Sequence, residues 1–126
     1  MTRENSVERL LARVDEIVDF TPYFPNTIVV VPHSDFRGVV ANALIDAYTK
    51  AGQYLKWARI GTVGNYDFLT QIFTVSTNAL RGRTVDTLYM PPPDGLTKNQ
   101  LHHYNEMMNS MYPVISSMRF SRLYVY

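Results

Sequence analysis

The densest run of side chains able to do chemistry is Pro32-His33-Ser34-Asp35-Phe36-Arg37-Gly38, which follows one apolar stretch and opens another. If it starts a helix, free backbone N–H groups and the positive end of the helix dipole meet there, the arrangement that holds an anion. His33, Ser34, Arg37 and Gly38 are the residue types that assist such binding and are the anion-binding candidates. A phosphate-cradling loop has the form G-x-x-x-x-G-K-[ST], with small residues so that the backbone can wrap the phosphates and a lysine for the terminal ones. Here there is one glycine and no lysine, and Asp35 suits helix capping better than phosphate contact.

The remaining constellations are thinner. His102 and His103 diverge by about 100° on a helix and cannot ligate one ion together. Glu106 stands four residues after His102, which makes a surface His–carboxylate pair without the further ligand a metal requires, so no metal and no other cofactor is expected. Ser34 follows His33 without the G-x-S-x-G turn or a third group to orient the imidazole, so no catalytic residue is assigned and an enzyme is not expected. Arg81 and Arg83 flank Gly82 and, with Arg37 and Lys56, form a candidate phosphate-reading patch. Trp57, Tyr66 and Phe68 are the nearest stacking aromatics in sequence. Asp86 reads as a salt-bridge partner for Arg81 or Arg83. Methionines at 107, 108, 111 and 118 gather around two tyrosines, and methionine suits adaptable interfaces; Tyr104, Met108, Met111 and Tyr112 are the partner-binding candidates.

These residues must be placed by elements that the hydrophobic pattern outlines. Val7, Leu10, Leu11, Val14, Ile17 and Val18 recur at helical spacing behind a Ser6 cap. Thr27 to Val31 is a continuous β-branched run, the pattern of a central strand buried on both faces. Ser34 or Asp35 then caps a helix carrying Phe36, Val39, Val40, Ala43, Leu44 and Ala47, with Gly52 as its stop. Tyr54 to Val63, Phe68 to Thr77 and Val85 to Met90 read as three strands, the last two adjacent and parallel. Pro91-Pro92-Pro93 breaks the chain, and Thr97 with Gln100 has the spacing of a capping box. The helix that follows has Leu101, Tyr104, Met108 and Met111 as its buried stripe, and Pro113 is expected to kink or end it. Arg119 to Tyr126 reads as a final strand.

The order Ile28-Val29-Val30-Val31-Pro32, helix, Phe73 to Gly82, then Val85-Asp86-Thr87-Leu88-Tyr89-Met90 resembles the ATPase core of phage terminase large subunits and related helicase-like P-loop proteins. That family places an Arg-Gly turn, here Arg81-Gly82, just before its acidic strand. An Asp-Glu pair follows the strand in the family, holding magnesium and polarising the attacking water; this chain has Pro91-Pro92 there. The resemblance implies a degenerate viral relative that keeps the scaffold and lacks the ATPase side chains.

Composition sets the outer bounds. The 126 residues suit one α/β domain spanning 1–126, and no apolar run approaches the ~20 residues of a membrane span, so a soluble cytoplasmic protein is expected, in the host cytoplasm if viral. Zero cysteines exclude disulfides and thiolate chemistry, and a net charge of +1 excludes a general pull toward polyanions. The expected fold is a three-layer, mainly parallel five-stranded sheet with helices on both faces, Rossmann-like or pseudo-P-loop. The expected function is noncatalytic binding or assembly with a protein partner. The alternatives are a nucleic-acid accessory factor using Arg37, Arg81 and Arg83, and a small enzyme acting on an anion at the loop after Val31; self-association is open to all three.

Overall fold

The computed structural model describes residues 3–75, 85–117 and 122–126, with side chains at 5–75, 85–109 and 122–126. Its elements are α1 (Arg3–Leu11), α2 (Val14–Phe20), β1 (Asn26–Val31), α3 (Asp35–Lys50), β2 (Trp57–Ala58), β3 (Thr62–Gly64), β4 (Leu69–Thr74), β5 (Thr87–Met90), α4 (Lys98–Ser117) and β6 (Arg122–Val125). The sheet has six strands in the order β2-β3-β4-β1-β5-β6. β4, β1, β5 and β6 are mutually parallel, whereas β2 and β3 run antiparallel at one edge.

β1 is the buried central strand its β-branched run predicts. Its side chains alternate between two apolar clusters. Val29 and Val31 join Leu10 of α1, Ile17 of α2 and Leu44 of α3; Ile28 and Val30 join Tyr104 and Met107 of α4. The first cluster also takes Ile72 of β4 and Tyr89 of β5, so the period-two alternation of each strand distributes its residues between the clusters.

Several sequence expectations are corrected. The stretch 54–63 is a hairpin rather than one strand, because Arg59 and Thr62 exchange backbone hydrogen bonds of 2.9 and 3.3 Å around Ile60-Gly61. That turn adds the sixth strand and makes the edge antiparallel, in place of the five-stranded sheet expected. β4 and β5 are not neighbours; each pairs with β1, from opposite sides. The N-terminal stripe of Val7, Leu10, Val14, Ile17 and Val18 is buried as expected, but across two helices. Arg13 N–H reaches back to Leu10 at 2.9 Å, a three-residue step that tightens the backbone between them. Ser6 is a buried residue inside α1 rather than its cap.

On α3, Val39 is exposed while Ala41 and Tyr48 are buried. The helix ends as Gly52 predicts: its φ is 76°, its N–H donates to Thr49, and the Gln53 N–H donates to Tyr48, a Schellman arrangement. On α4, Leu101 is exposed and Met107 replaces it in the buried stripe, and the helix continues through Pro113 instead of ending there.

Burial of tyrosine gives the fold a defined alkaline limit. Removal from water raises the pKa of Tyr48, Tyr89, Tyr104 and Tyr126 above the usual 10.0; the neighbouring Glu16 adds to the effect at Tyr89 and Tyr104 adds to it at Tyr126. Each phenol stays neutral in the fold and ionises near pH 10 once unfolded, so its contribution is intact below that pH and is lost above it. Stability followed by urea titration should be level with respect to these groups up to about pH 10 and fall steeply beyond it. Tyrosinate absorbance from these four residues should rise together with unfolding; their ionisation in a still-folded chain would contradict the assignment.

Gly64 gives a second test. A Cβ at this position would strike the backbone carbonyl of Phe68 and crowd the Leu69 Cα, neither of which can swing aside. Gly64→Ala should lower the unfolding free energy by about 2–4 kcal/mol in chemical denaturation, whereas Gly38→Ala, where a Cβ meets open space, should cost little.

Candidate functional site

In an open α/β sheet a ligand crevice forms where adjacent strands send their connections to opposite faces. β1 and β5 are such a pair, since α3 packs with one cluster and α4 with the other. The two loops at their carboxyl ends are Pro32-His33-Ser34 and Pro91-Pro92-Pro93, and the chain itself closes the space between them. The Asp86 amide donates to the Asn26 carbonyl, so even-numbered carbonyls of β1 face β5. Farther along that side, the Tyr126 hydroxyl donates to the Val30 carbonyl, and the Gln100 Nε2 donates to the Pro32 carbonyl at 2.6 Å. The Tyr126 ring belongs to the α1–α3 cluster and Gln100 to α4, so the crevice is bridged from both faces.

Gln100 is held for this task by the capping box expected from sequence. Thr97 N–H donates to Gln100 Oε1 at 3.1 Å, and Gln100 N–H donates to Thr97 Oγ1 at 3.3 Å.

The anion-binding candidates do not converge at the start of α3. His33 Nδ1 accepts the Asp35 N–H at 3.1 Å and lies 3.2 Å from the Asp35 carboxylate, so the imidazole caps the helix. Ser34 occupies the cap position without a side-chain bond, and Gly38 permits no closer approach than an alanine would. Arg37 is directed to the sheet: its Nε donates to the Ile72 carbonyl at 3.2 Å, and Nη2 lies against Gly61 in the β2–β3 turn. The guanidinium therefore braces the hairpin against β4.

Of the partner-binding candidates, Tyr104 is buried in the core, as its place in the helical stripe predicts, and Met108 is half-buried beside that cluster. The side chains of Met111 and Tyr112, and the whole of Arg81 and Arg83, lie outside the described residues. Asp86 Oδ2 accepts from Asn26 twice, from N at 2.9 Å and Nδ2 at 3.1 Å, joining the starts of β1 and β5. His102 and Glu106 make the expected surface pair at 2.8 Å, and no group of three metal-ligating side chains occurs among the described residues. No described helix is long and apolar enough to cross a membrane.

A built concavity instead opens at the amino ends of β1 and β4. It has a volume of about 520 Å³ and is lined by Pro25 and Asn26, Trp57 of β2, Thr62 of β3, and the 65–69 segment. Register explains its position. Trp57 opposes Gly64, Gly64 opposes Leu69, and Leu69 opposes Asn26, so the four positions form one row across four strands. Gly64 adds no side chain to this row. The row lies on the α4 face of the sheet, yet Phe73, two pairs along β4, is the β4 side chain that reaches the α4 cluster. The Trp57 end of that face stays half-buried and open.

Asn65 builds the far wall. Its Oδ1 accepts the N–H of Asp67 at 2.7 Å and of Phe68 at 3.3 Å, while its Nδ2 donates to the Tyr54 carbonyl at 2.6 Å. This side-chain turn lifts Tyr66 into solvent, 79% exposed, at a 75° angle to Trp57 with ring centroids 5.4 Å apart. Lys56 Nζ stands 4.6 Å from the Tyr66 ring centre. A smaller cavity of about 230 Å³, lined by Thr21, Pro22 and Gln53, shares the wall residues Pro25, Asp67 and Phe68 with the first. Tyr23 and Tyr54, at 77% and 72% exposure, are the other large aromatics left in water at the loops entering β1 and β2.

Compared with known proteins, the chain matches no family model and no curated protein. The functional reading therefore rests on the two ends of the sheet and their chemistry.

The sequence points to the carboxyl end of β1, whereas this cleft opens at its amino end. The available signal was Gly64-Asn65-Tyr66-Asp67, a turn-forming amide followed by an exposed aromatic and an acid. Asn65→Ala should remove three hydrogen bonds, cost about 1–3 kcal/mol, and shift emission of the sole tryptophan, Trp57, to longer wavelength. Unchanged emission would show that Asn65 does not shape the cleft.

Proposed function

We propose that the chain is a noncatalytic recognition protein that binds a protein partner through the aromatic cleft at the amino ends of β1 and β4. The observation that carries this reading is the contrast between the two ends of the sheet. At the carboxyl ends, where a nucleotide would bind, Tyr126 and Gln100 bridge the crevice. At the amino ends, an aromatic cleft of about 520 Å³ stands open, and aromatic residues are the side chains enriched at protein interfaces.

The scaffold is read as a three-layer, Rossmann-like or pseudo-P-loop domain derived from terminase-type ATPase cores, and hence viral. Supporting this are the parallel order β4-β1-β5-β6 and the opposite-face connections of β1 and β5. The Met90-Pro91-Pro92-Pro93 exit in place of acidic residues accounts for the absence of hydrolysis in this reading.

The test pairs a catalytic assay with site-specific capture. Incubation with ATP and magnesium should give no turnover above background. A photo-crosslinking residue at position 66 should trap a discrete protein in host extract, and the same residue at position 33 should not. ATP turnover abolished by His33→Ala, or trapping from position 33 alone, would overturn the proposal.

A further inference from the structure

The cleft's unused chemistry narrows what can occupy it. Several polar groups around it are already committed: Asn65 uses both ends of its amide, Asn26 donates Nδ2 to Asp86, and the Thr21 hydroxyl donates to Val18. Backbone groups are likewise taken, with Leu69 N–H on Pro25, Asp86 N–H on Asn26 and Lys56 N–H on Gly64.

Two kinds of contact stand out. One is apolar and aromatic: Trp57 and Tyr66 meet nearly at right angles, and Pro25 and Leu69 line the same cavity. The other is the Asp67 carboxylate. It is the sole charged side chain lining either cavity, it is exposed, and among the described residues it has neither an ion-pair nor a hydrogen-bond partner. Lys56 already stands over the Tyr66 ring, so a ligand cation is directed to Asp67 rather than to the aromatic face.

From these features, and resting on the reading of this cleft as the recognition surface, we infer that it takes an extended, proline-rich segment of a partner protein carrying one basic side chain. Proline has no N–H to satisfy, so such a segment asks little of a cleft whose own backbone groups are taken. Its left-handed extended helix keeps its carbonyls in water and sets proline rings against aromatic walls. The basic side chain pairs with Asp67, which lines both cavities, and sets the direction in which the segment lies.

Trp57 is the chain's one tryptophan and lines the cleft, so its fluorescence reports occupancy directly. The probe is a synthetic polyproline peptide of about ten residues, roughly 30 Å long as a polyproline helix, with one central arginine. Saturable change in Trp57 emission is expected. Replacing the peptide's arginine by glutamate, or Asp67→Asn in the protein, should weaken binding about five-fold, the scale of an exposed ion pair. Tyr66→Ala should weaken both peptides.

Equal affinity for the arginine and glutamate peptides would overturn the role of Asp67 and with it the inference. So would binding of an oligothymidylate in place of the peptide with a steep salt dependence, which would mark a single-stranded nucleic-acid site. Trapping of a protein from position 66 together with no peptide binding would remove the proline-rich ligand and leave the recognition surface standing. Failure of both would remove both.

Discussion

The constraint on which the rest of the structure depends is that β1 is paired on both sides. A strand inside a sheet must have its backbone donors and acceptors met along both edges, since a buried unpaired peptide group costs about as much as a lost hydrogen bond. β4 serves one edge of β1 over its full length, from Asn26 to Val31, whereas register with β5 ends at Val29 opposite Tyr89. Beyond that point Tyr126 and Gln100 supply donors to Val30 and Pro32 from the two faces. These contacts tie β6 and the start of α4 to the central strand, and they close the crevice that related architectures leave for a ligand.

The same strand governs the opposite end. The first residue of β1, Asn26, receives the Asp86 amide at its carbonyl and donates to the Asp86 carboxylate, while Pro25 just before it accepts from Leu69. β4 and β5 are thus anchored where β1 begins. The segment from Gly64 to Leu69 is then forced into a tight reversal, because β3 and β4 are antiparallel neighbours with Gly64 opposite Leu69. Asn65 meets that demand with its side chain, and its neighbours are displayed as a consequence. The exposure of Tyr66 and of Asp67, unpaired among the described residues, follows from how the edge hairpin joins the parallel sheet.

What could be read from the sequence follows from the range of the interactions that decide each feature. The β-branched run at β1, the Thr97–Gln100 box and the Gly52 stop are local, and each appears in the structure as expected. The hairpin at Ile60-Gly61 is equally local, but a lone glycine within Tyr54 to Val63 does not by itself distinguish a turn from one continuous strand. The partners of Arg37 and Tyr126 lie 35 and 96 residues away, and no pattern of spacing encodes them. His33 shows the limit within a motif: residue types that suit an anion also suit a helix cap, and here the imidazole lies against its own helix. The methionine and tyrosine stripe of α4 has the same ambiguity, since side chains that fit an adaptable interface also fill a core.

Catalysis and recognition make opposite demands on polar side chains, and this distinguishes the two ends of the sheet. A reactive site needs polar groups held in place yet left with a free valence toward substrate. At the carboxyl ends, the Gln100 amide and the Tyr126 hydroxyl donate to backbone carbonyls, and the imidazole of His33 accepts from its own helix. At the amino ends, Asn65 and Asn26 likewise hold backbone in place, but the surface they create is aromatic with one carboxylate left over. Such a surface has little to activate a bond and much to bury. Apolar area removed from water contributes about 25 cal/mol per Å², and rigid aromatic rings deliver it at small entropic cost. The internal hydrogen bonds that bridge the crevice between β1 and β5 are therefore of the same kind as those that shape the amino-end cleft, and both follow from how β1 is paired at its two ends.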